Sequence, residues 1–356
     1  MRYKLLGSSG LRVSQLALGT MTFGEEWGWG APREECRRLY EAYRAVGGNF
    51  IDTADKYTNG ASEQIVGELI APERDQIVLA TKYSLTSRPD DPNGGGNHRK
   101  HLVHALDASL TRLGTDYIDV YWLHAWDYLT PVEEVMRALD DQVRAGKILY
   151  VGVSDTPAWV VSRANMLAEL RGWTSFVGLQ IQYNLVERTV ERDLIPMARA
   201  LDLAVTAWGP LGSGLLSGKY TRGGDGAEGR LSLMGGVEGA GEQKLVVAET
   251  LHDVADELQA PPAAVAIAWL LHQPDVTIPI IGARRLDQLQ QNLGAVDLTI
   301  PPKQLAQLDA ASRVDLGFPH ALLHDAAMRD VLHGNIAHLI DDHRGHYPFT
   351  AYDLSP

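Results

Sequence analysis

What most constrains this chain is an alternation: short apolar runs and helix-period patterns follow one another along most of its 356 residues. A β-hairpin over 3–18, turning at Gly7-Ser8-Ser9-Gly10, precedes a first core strand at 16–20. A helix opens at Pro32 and stops at Gly47-Gly48. Strands are then expected at 49–52, 77–82, 118–124, 148–153, 176–182, 203–208 and 276–281. Between them come helices from Ser62, from Leu102 to Leu113, over 131–145, 157–170, 189–200, 243–258 and 262–272, and one from Leu286. About eight βα units imply a parallel sheet, and at that count the natural closure is a (β/α)₈ TIM barrel in the α/β class. An open doubly wound sheet is the alternative. It expects G-x-G-x-x-G after a strand, and the nearest cluster, Gly212-Ser213-Gly214, lacks the third glycine.

The remaining bounds are mostly exclusions. A formal charge of -13 argues against nucleic-acid and anionic-membrane partners. The single cysteine, Cys36, allows no intrachain disulfide and fits a reducing, cytoplasmic setting. No stretch matches a signal peptide, and the longest apolar segment, Ala263 to Leu271, falls short of a membrane span. Two segments leave the alternation. Residues 221–241 are glycine-rich and read as a mobile loop, and the tail 316–356 reads as a C-terminal helical extension folding back over a single barrel domain spanning 1–356. His320 and His324 in that tail have metal-pair spacing, but no third ligand accompanies them and H-E-x-x-H is absent, so no metal is expected. His98, His101 and His104 read as one face of a surface helix.

The chemistry lies at the strand ends. In order these are Thr20, Asp52 with Tyr57 just beyond, Lys82, His124, Ser154 with Asp155, Gln180, Trp208 and Gly282. In a parallel barrel such residues meet at the carboxyl rim around one cavity. A carboxylate leaving an apolar strand at Asp52 needs a cationic partner, and Lys82 is placed to be it. A tyrosine is a poor acid at neutral pH unless a positive charge favours its phenolate, which Lys82 could supply to Tyr57. His124 could donate a hydrogen bond to a substrate oxygen or pass a proton. This set suits protonating an oxygen that is becoming an alkoxide, as carbonyl reduction demands. No side chain donates hydride, so a cofactor is required. Ser154, Asp155 and Gln180 suit a carboxamide, and Trp208 offers a face for stacking. The loops after strands seven and eight suit phosphate, and Arg284 or Arg285 could meet an extra 2′-phosphate, favouring NADP over NAD.

These residues resemble the aldo-keto reductase family, in its aryl-alcohol dehydrogenase-like and potassium-channel β-subunit-like branch. The likeness runs from about residue 3 to 318 through LGTMTFG at 18–24, DTADKYTNGASE at 52–63, SLTRLGTDYIDVYWLH at 109–124, GKILYVGVSD at 146–155, QIQYN at 180–184, WGPLGSGLLSGKY at 208–220 and IIGARRLDQLQQN at 280–292. It implies a barrel plugged by the hairpin and NADPH-dependent reduction of a small-molecule aldehyde or ketone. By the same resemblance Tyr57 is the general acid, Lys82 and Asp52 its tuning pair, and His124 the carbonyl-orienting group. Thr20, Ser154, Asp155, Gln180 and Trp208 hold the nicotinamide side. Leu211, Gly212, Ser213, Gly214 and Lys219 lie along the pyrophosphate, and Gly282, Arg285, Gln288 and Asn292 bind the adenosine end. The family often has Asn where this chain has Asp155, which can accept from a carboxamide but not donate to it. Trp27, Trp29, Trp126 and Tyr128 are candidate pocket walls. Two other functions stay open: a cofactor-sensing regulatory subunit like those of potassium channels, and a lyase using Lys82 as a Schiff base. Substrate, direction and oligomeric state are not readable.

Overall fold

Inner-facing residues alternate with outer-facing ones along every strand, and that period of two builds the molecule. The computed structural model describes residues 1–219, 241–274 and 277–340. Its eight parallel strands are β3 (Ala17–Gly19), β4 (Phe50–Asp52), β5 (Val78–Tyr83), β6 (Ile118–Leu123), β7 (Ile148–Ser154), β8 (Phe176–Gln182), β9 (Ala204–Trp208) and β10 (Thr277–Ile281). They pair in chain order, and β10 closes onto β3, so the sheet is a barrel and not an open doubly wound sheet. Around it stand α1 (Arg33–Ala45), α2 (Ala61–Ile70), α3 (Arg99–Leu113), α4 (Val132–Arg144), α5 (Ala158–Arg171), α6 (Leu194–Ala200), α7 (Glu242–Glu257), α8 (Pro262–Leu271), α9 (Leu286–Leu293) and α10 (Pro302–Ser312). The hairpin pairs β1 (Tyr3–Leu5) with β2 (Arg12–Ser14) antiparallel.

The core has two layers. Leu79, Tyr83, Tyr121 and Leu123 face outward into the cluster shared with the helices. Phe50, Val78, Ala80, Val120, Trp122 and Ala204 face inward, joined at the amino-terminal end by Leu6 and Val13 of the hairpin segment. The inner columns therefore read Phe50 then Asp52, Val78 and Ala80 then Lys82, Val120 and Trp122 then His124. Each apolar column ends in an ionisable group at the carboxyl rim, as side-chain alternation requires.

Trp122 closes the lumen beneath that rim and is fully buried. Its neighbours on β7 and β8 are glycines because nothing larger fits. A Cβ on Gly152 would stand 2.2 Å from two Trp122 ring carbons, and one on Gly178 would stand 2.8 Å from a third.

Two expectations are corrected. The helix expected over 189–200 is a 3₁₀ turn at Thr189–Glu191 followed by the shorter α6. Pro196 cannot donate a backbone hydrogen bond, so a helix containing it must start within a turn of it. His98, His101 and His104 do not share a surface face. His98 caps α3 by accepting from the His101 N–H, at 3.2 Å, and His101 is buried against Tyr83. The chain divides into two compact units, Met1–Ser312 and a second beginning at Arg313. The second holds short helices at His320–Leu323 and Ala326–His333. Residues 220–240 and 341–356 lie outside the described residues, and with them nearly all of the expected 221–241 loop. Among the described residues no helix is long and apolar enough to cross a membrane.

Candidate active site

Lys82 is the centre of the rim. Its ammonium is wholly buried and donates to Asp52 Oδ2 at 2.5 Å, to the Thr53 carbonyl at 2.8 Å and to Tyr57 Oη at 3.2 Å. The other Asp52 oxygen accepts from Gln180 Nε2 at 3.0 Å, across the lumen from β8. Burial pushes the Lys82 ammonium down, and Asp52 with Tyr57 more than offsets it, holding lysine above its ordinary range. An ammonium held this way is a poor nucleophile, which tells against the Schiff-base reading.

Tyr57 stands on a strained turn. Thr58, Asn59 and Gly60 follow it at φ 44°, 55° and 94°, three consecutive left-handed residues. Thr58 makes the turn rigid: its hydroxyl donates to the Phe23 carbonyl at 2.8 Å and accepts from the Ser62 N–H at 2.9 Å. Burial raises the Tyr57 phenol above its ordinary pKa, with Lys82 pulling it down and Asp52 pushing it up again. His124 meets Tyr57 edge to face with ring centroids 6.0 Å apart. Burial, aided by Lys82, lowers the His124 pKa to about 3, so its ring is neutral near pH 7. Its Nδ1 is buried without a partner among the described residues. The ring can donate a hydrogen bond but holds no second proton to pass.

The later strand ends extend this rim. Ser154 is buried at the end of β7, and Gln180 is buried two residues before the end of β8. Asp155 is exposed at φ 38°, and its Oδ1 accepts from Trp208 Nε1 at 3.1 Å. Beyond β9 the segment after Leu211 turns through Gly212, Ser213 and Gly214 at φ 53°, 58° and 103°, ending at the exposed Lys219. Such consecutive left-handed residues curve the backbone into a concave cradle of the kind that takes an anion. Past β10, Gly282 is exposed, Asn292 Nδ2 donates to its carbonyl at 3.3 Å, and the Gln288 side chain accepts from the Arg284 N–H at 3.0 Å. Arg285 is exposed and forked onto Asp287 with two bonds of 2.9 Å. The first N–H of α9, on Leu286, is taken by Glu35 from α1 at 2.7 Å. Thr20 is wholly buried, its hydroxyl bonded to the Asp52 carbonyl at 3.2 Å and to Ser62 Oγ at 2.9 Å, so it braces the floor from below.

Residues 15–313 match the model of the Aldo/keto reductase family. The chain belongs to the aldo/keto reductase family. It is 36% identical over 355 residues to an aryl-alcohol dehydrogenase [NADP(+)] of Phanerodontia chrysosporium, covering 94% of this chain and 92% of that one. It is 38% identical over 335 residues to a norsolorinic acid reductase of Aspergillus flavus, covering 90% of this chain and 83% of that one.

Sequence reasoning missed two supports of this aldo/keto reductase's rim. The first lies behind β5, where Glu63 is fully buried, accepts from Thr81 Oγ1 at 2.6 Å and pairs with Arg112 Nε at 2.6 Å. Asp55 is buried nearby, and burial followed by the Glu63 charge raises its pKa to about 7. The second support fixes the backbone after His124. The Ala125 carbonyl accepts from Asn97 Nδ2 at 2.8 Å and from Ser84 Oγ at 3.1 Å. Asn97 and Asp127 then bond each other's backbones, at 2.7 and 2.8 Å. One signal for the second was in the sequence: Asp127 three residues before Thr130 suits a side-chain-capped turn, and Asp127 does accept from the Thr130 N–H at 2.9 Å. Of the candidate walls, Trp27 and Trp29 pair with centroids 5.7 Å apart, Trp126 is half-buried and Tyr128 is exposed. Among the described residues no group of three or more His, Cys, Asp or Glu could hold a metal ion.

Proposed function

We propose that this oxidoreductase reduces aldehyde or ketone carbonyls to alcohols with NADPH, Tyr57 serving as general acid. The observation that carries the reading is the Lys82 ammonium, bonded at once to Asp52 and to the Tyr57 hydroxyl. A carbonyl oxygen at Tyr57 Oη would take the phenol proton as its carbon becomes tetrahedral. The phenolate left behind would lie 3.2 Å from a buried cation, where its charge is compensated. Asp52 keeps that cation charged and in place. His124, neutral near pH 7, donates a second hydrogen bond to the same oxygen and so orients the carbonyl.

A reduced nicotinamide, when bound, supplies the hydride that no side chain here can donate. The residues present fit such a group. Gln180 spends its amide N–H on Asp52 and keeps its carbonyl oxygen to accept from a carboxamide; Ser154 and Asp155 stand beside it, and Trp208 presents an indole for stacking. The cradle at Leu211, Gly212, Ser213 and Gly214 with Lys219 suits the pyrophosphate. Gly282, Arg285, Gln288 and Asn292 would take the adenosine end, Arg285 exchanging Asp287 for a 2′-phosphate. The name of the Phanerodontia chrysosporium relative includes both NADP(+) and aryl-alcohol. With Trp27, Trp29, Trp126 and Tyr128 as walls, aromatic aldehydes are the first substrates to offer.

The test is a fluorescence titration with NADPH and NADH, followed by absorbance at the reduced-nicotinamide band as aromatic and aliphatic aldehydes are added. NADPH should bind more tightly and be oxidised when aldehyde is present. Tyr57→Phe should still bind NADPH while losing about 10³-fold in kcat, within the range for removing a general acid. Near-normal turnover by Tyr57→Phe would overturn the acid assignment.

A further inference from the structure

Asp155 carries a charge at the rim that is not closed into an ion pair and touches the proton-transfer set only through space, by raising the Tyr57 phenol. It stands at the carboxyl end of β7 in a left-handed conformation, φ 38°, which aims a short side chain at the rim. Its backbone carbonyl accepts from the Trp126 N–H at 3.4 Å, and its carboxylate accepts from the Trp208 indole N–H at 3.1 Å. The charge is thus fixed at the edge of the aromatic face described above. Burial pushes the Asp155 carboxyl above its ordinary range, the Trp208 hydrogen bond and Lys82 pull it back, and Lys82 already carries Asp52, so the Asp155 charge is only partly compensated.

Resting on the nicotinamide assignment of the preceding section, we infer that Asp155 sets the preference between the two redox forms of the cofactor, favouring NADP⁺ over NADPH. The physical reason is charge. An oxidised nicotinamide ring is cationic and the reduced ring is neutral, so a carboxylate at the edge of the stacking face attracts only the first. A carboxylate also accepts from a carboxamide NH₂ but cannot donate to its oxygen, whereas an amide at the same position does both with no charge. Asparagine tolerates the left-handed conformation as readily as aspartate, so Asp155→Asn changes charge and donor capacity with little change of shape. The bias lowers the potential of the bound couple, so bound NADPH is a stronger reductant of carbonyls than it would be beside an uncharged residue. It acts on the equilibrium between bound forms; the same charge also helps hold the Tyr57 phenol up, behind the larger effects of burial, Lys82 and Asp52.

The test is tryptophan-fluorescence titration of the full chain and of Asp155→Asn, with NADP⁺ and NADPH in separate runs. The readout is the ratio of the two dissociation constants. Loss of the charge should weaken NADP⁺ relative to NADPH by about tenfold, the size of an interaction between charges about 6 Å apart at an effective dielectric of ~40, between protein-surface and bulk-water screening. For a two-electron couple that tenfold change corresponds to about 30 mV in the potential of the bound cofactor. If both nucleotides bind and the ratio is the same in the two proteins, or both weaken equally, Asp155 is a structural contact and the inference fails while the nicotinamide assignment stands. If the wild-type chain binds neither nucleotide, the assignment fails and the inference with it.

Discussion

Two buried ion pairs lie back to back on β5, one residue apart. Lys82 points into the lumen and bonds Asp52; Thr81 points outward and bonds Glu63, which pairs with Arg112. Both pairs couple a fully buried partner to an opposite charge at 2.5 to 2.6 Å. They differ in what shares the charge. The inner cation reaches the Tyr57 hydroxyl on the rim, a group that can give up a proton. The outer pair faces Thr81 and the buried Asp55 behind β5, away from the rim. Burial and pairing alone therefore do not mark a catalytic group; a third, titratable partner facing open space does.

That contrast can be broken most forcefully at Lys82. Lys82→Met should lower kcat by about 10³-fold or more and also destabilise the fold, because Asp52 would remain buried without its cation. Turnover assays beside denaturant unfolding would separate the two effects. On the outer face, Arg112→Met should cost about 3–5 kcal/mol of stability by stranding Glu63. The kcat of the molecules that remain folded should stay within a few-fold of wild type. A large kcat loss in stable Arg112→Met protein would erase the distinction between the faces.

A smaller effect sharpens the comparison through pH. Burial and the Glu63 charge raise Asp55 from 3.8, the ordinary value it has in the unfolded chain, to about 7, so the folded state holds a proton that the unfolded state releases between those limits. Stability from this group therefore falls as pH rises from about 4 to about 7, and remains lower above that. Lys56, Arg112, Glu63 and Tyr121 are the charged or titratable groups acting with it. Asp55→Asn should raise Tm at about pH 8 and leave it nearly unchanged at about pH 4, the gain being a few kcal/mol at most. An equal shift at both values would mean that Asp55 does not titrate in this window. The smallest effect belongs to the far end of the cofactor cradle. Arg285→Ala should weaken NADPH by about tenfold and NADH hardly at all, in keeping with one charge-assisted contact to a 2′-phosphate. Equal weakening of both would remove Arg285 from cofactor discrimination.

The barrel and its inner rim were legible in the sequence because both depend on local pattern. Alternation gave the strands, and the inner-facing residues at or near the carboxyl end of each gave Asp52, Lys82, His124, Ser154, Gln180 and Trp208. The Asp52–Lys82 pair followed from the cost of a lone buried charge. What stayed hidden depends on contacts between distant segments. Glu63 and Arg112 are 49 residues apart and nothing local marks them as partners. The burial of His101 is decided by Tyr83 on another element. Glu35 reaches the start of α9 from 251 residues away, so a helix start that looked open for phosphate already has an acceptor on its first N–H. Pro196 is visible in the sequence, and its missing N–H goes with the late start of α6 at Leu194.

Trp122 has a consequence for how this sequence can vary over time. Its ring fills the space that side chains on residues 152 and 178 would need, so those three positions are not free to drift independently. A lineage that gains a methyl group at Gly152 must first, or at once, shrink the residue at 122. Each intermediate step carries either a clash or a void under the rim. Related chains should therefore show the three positions changing as a set, with large at 122 matched to smallest at 152 and 178, and mixed combinations should be rare.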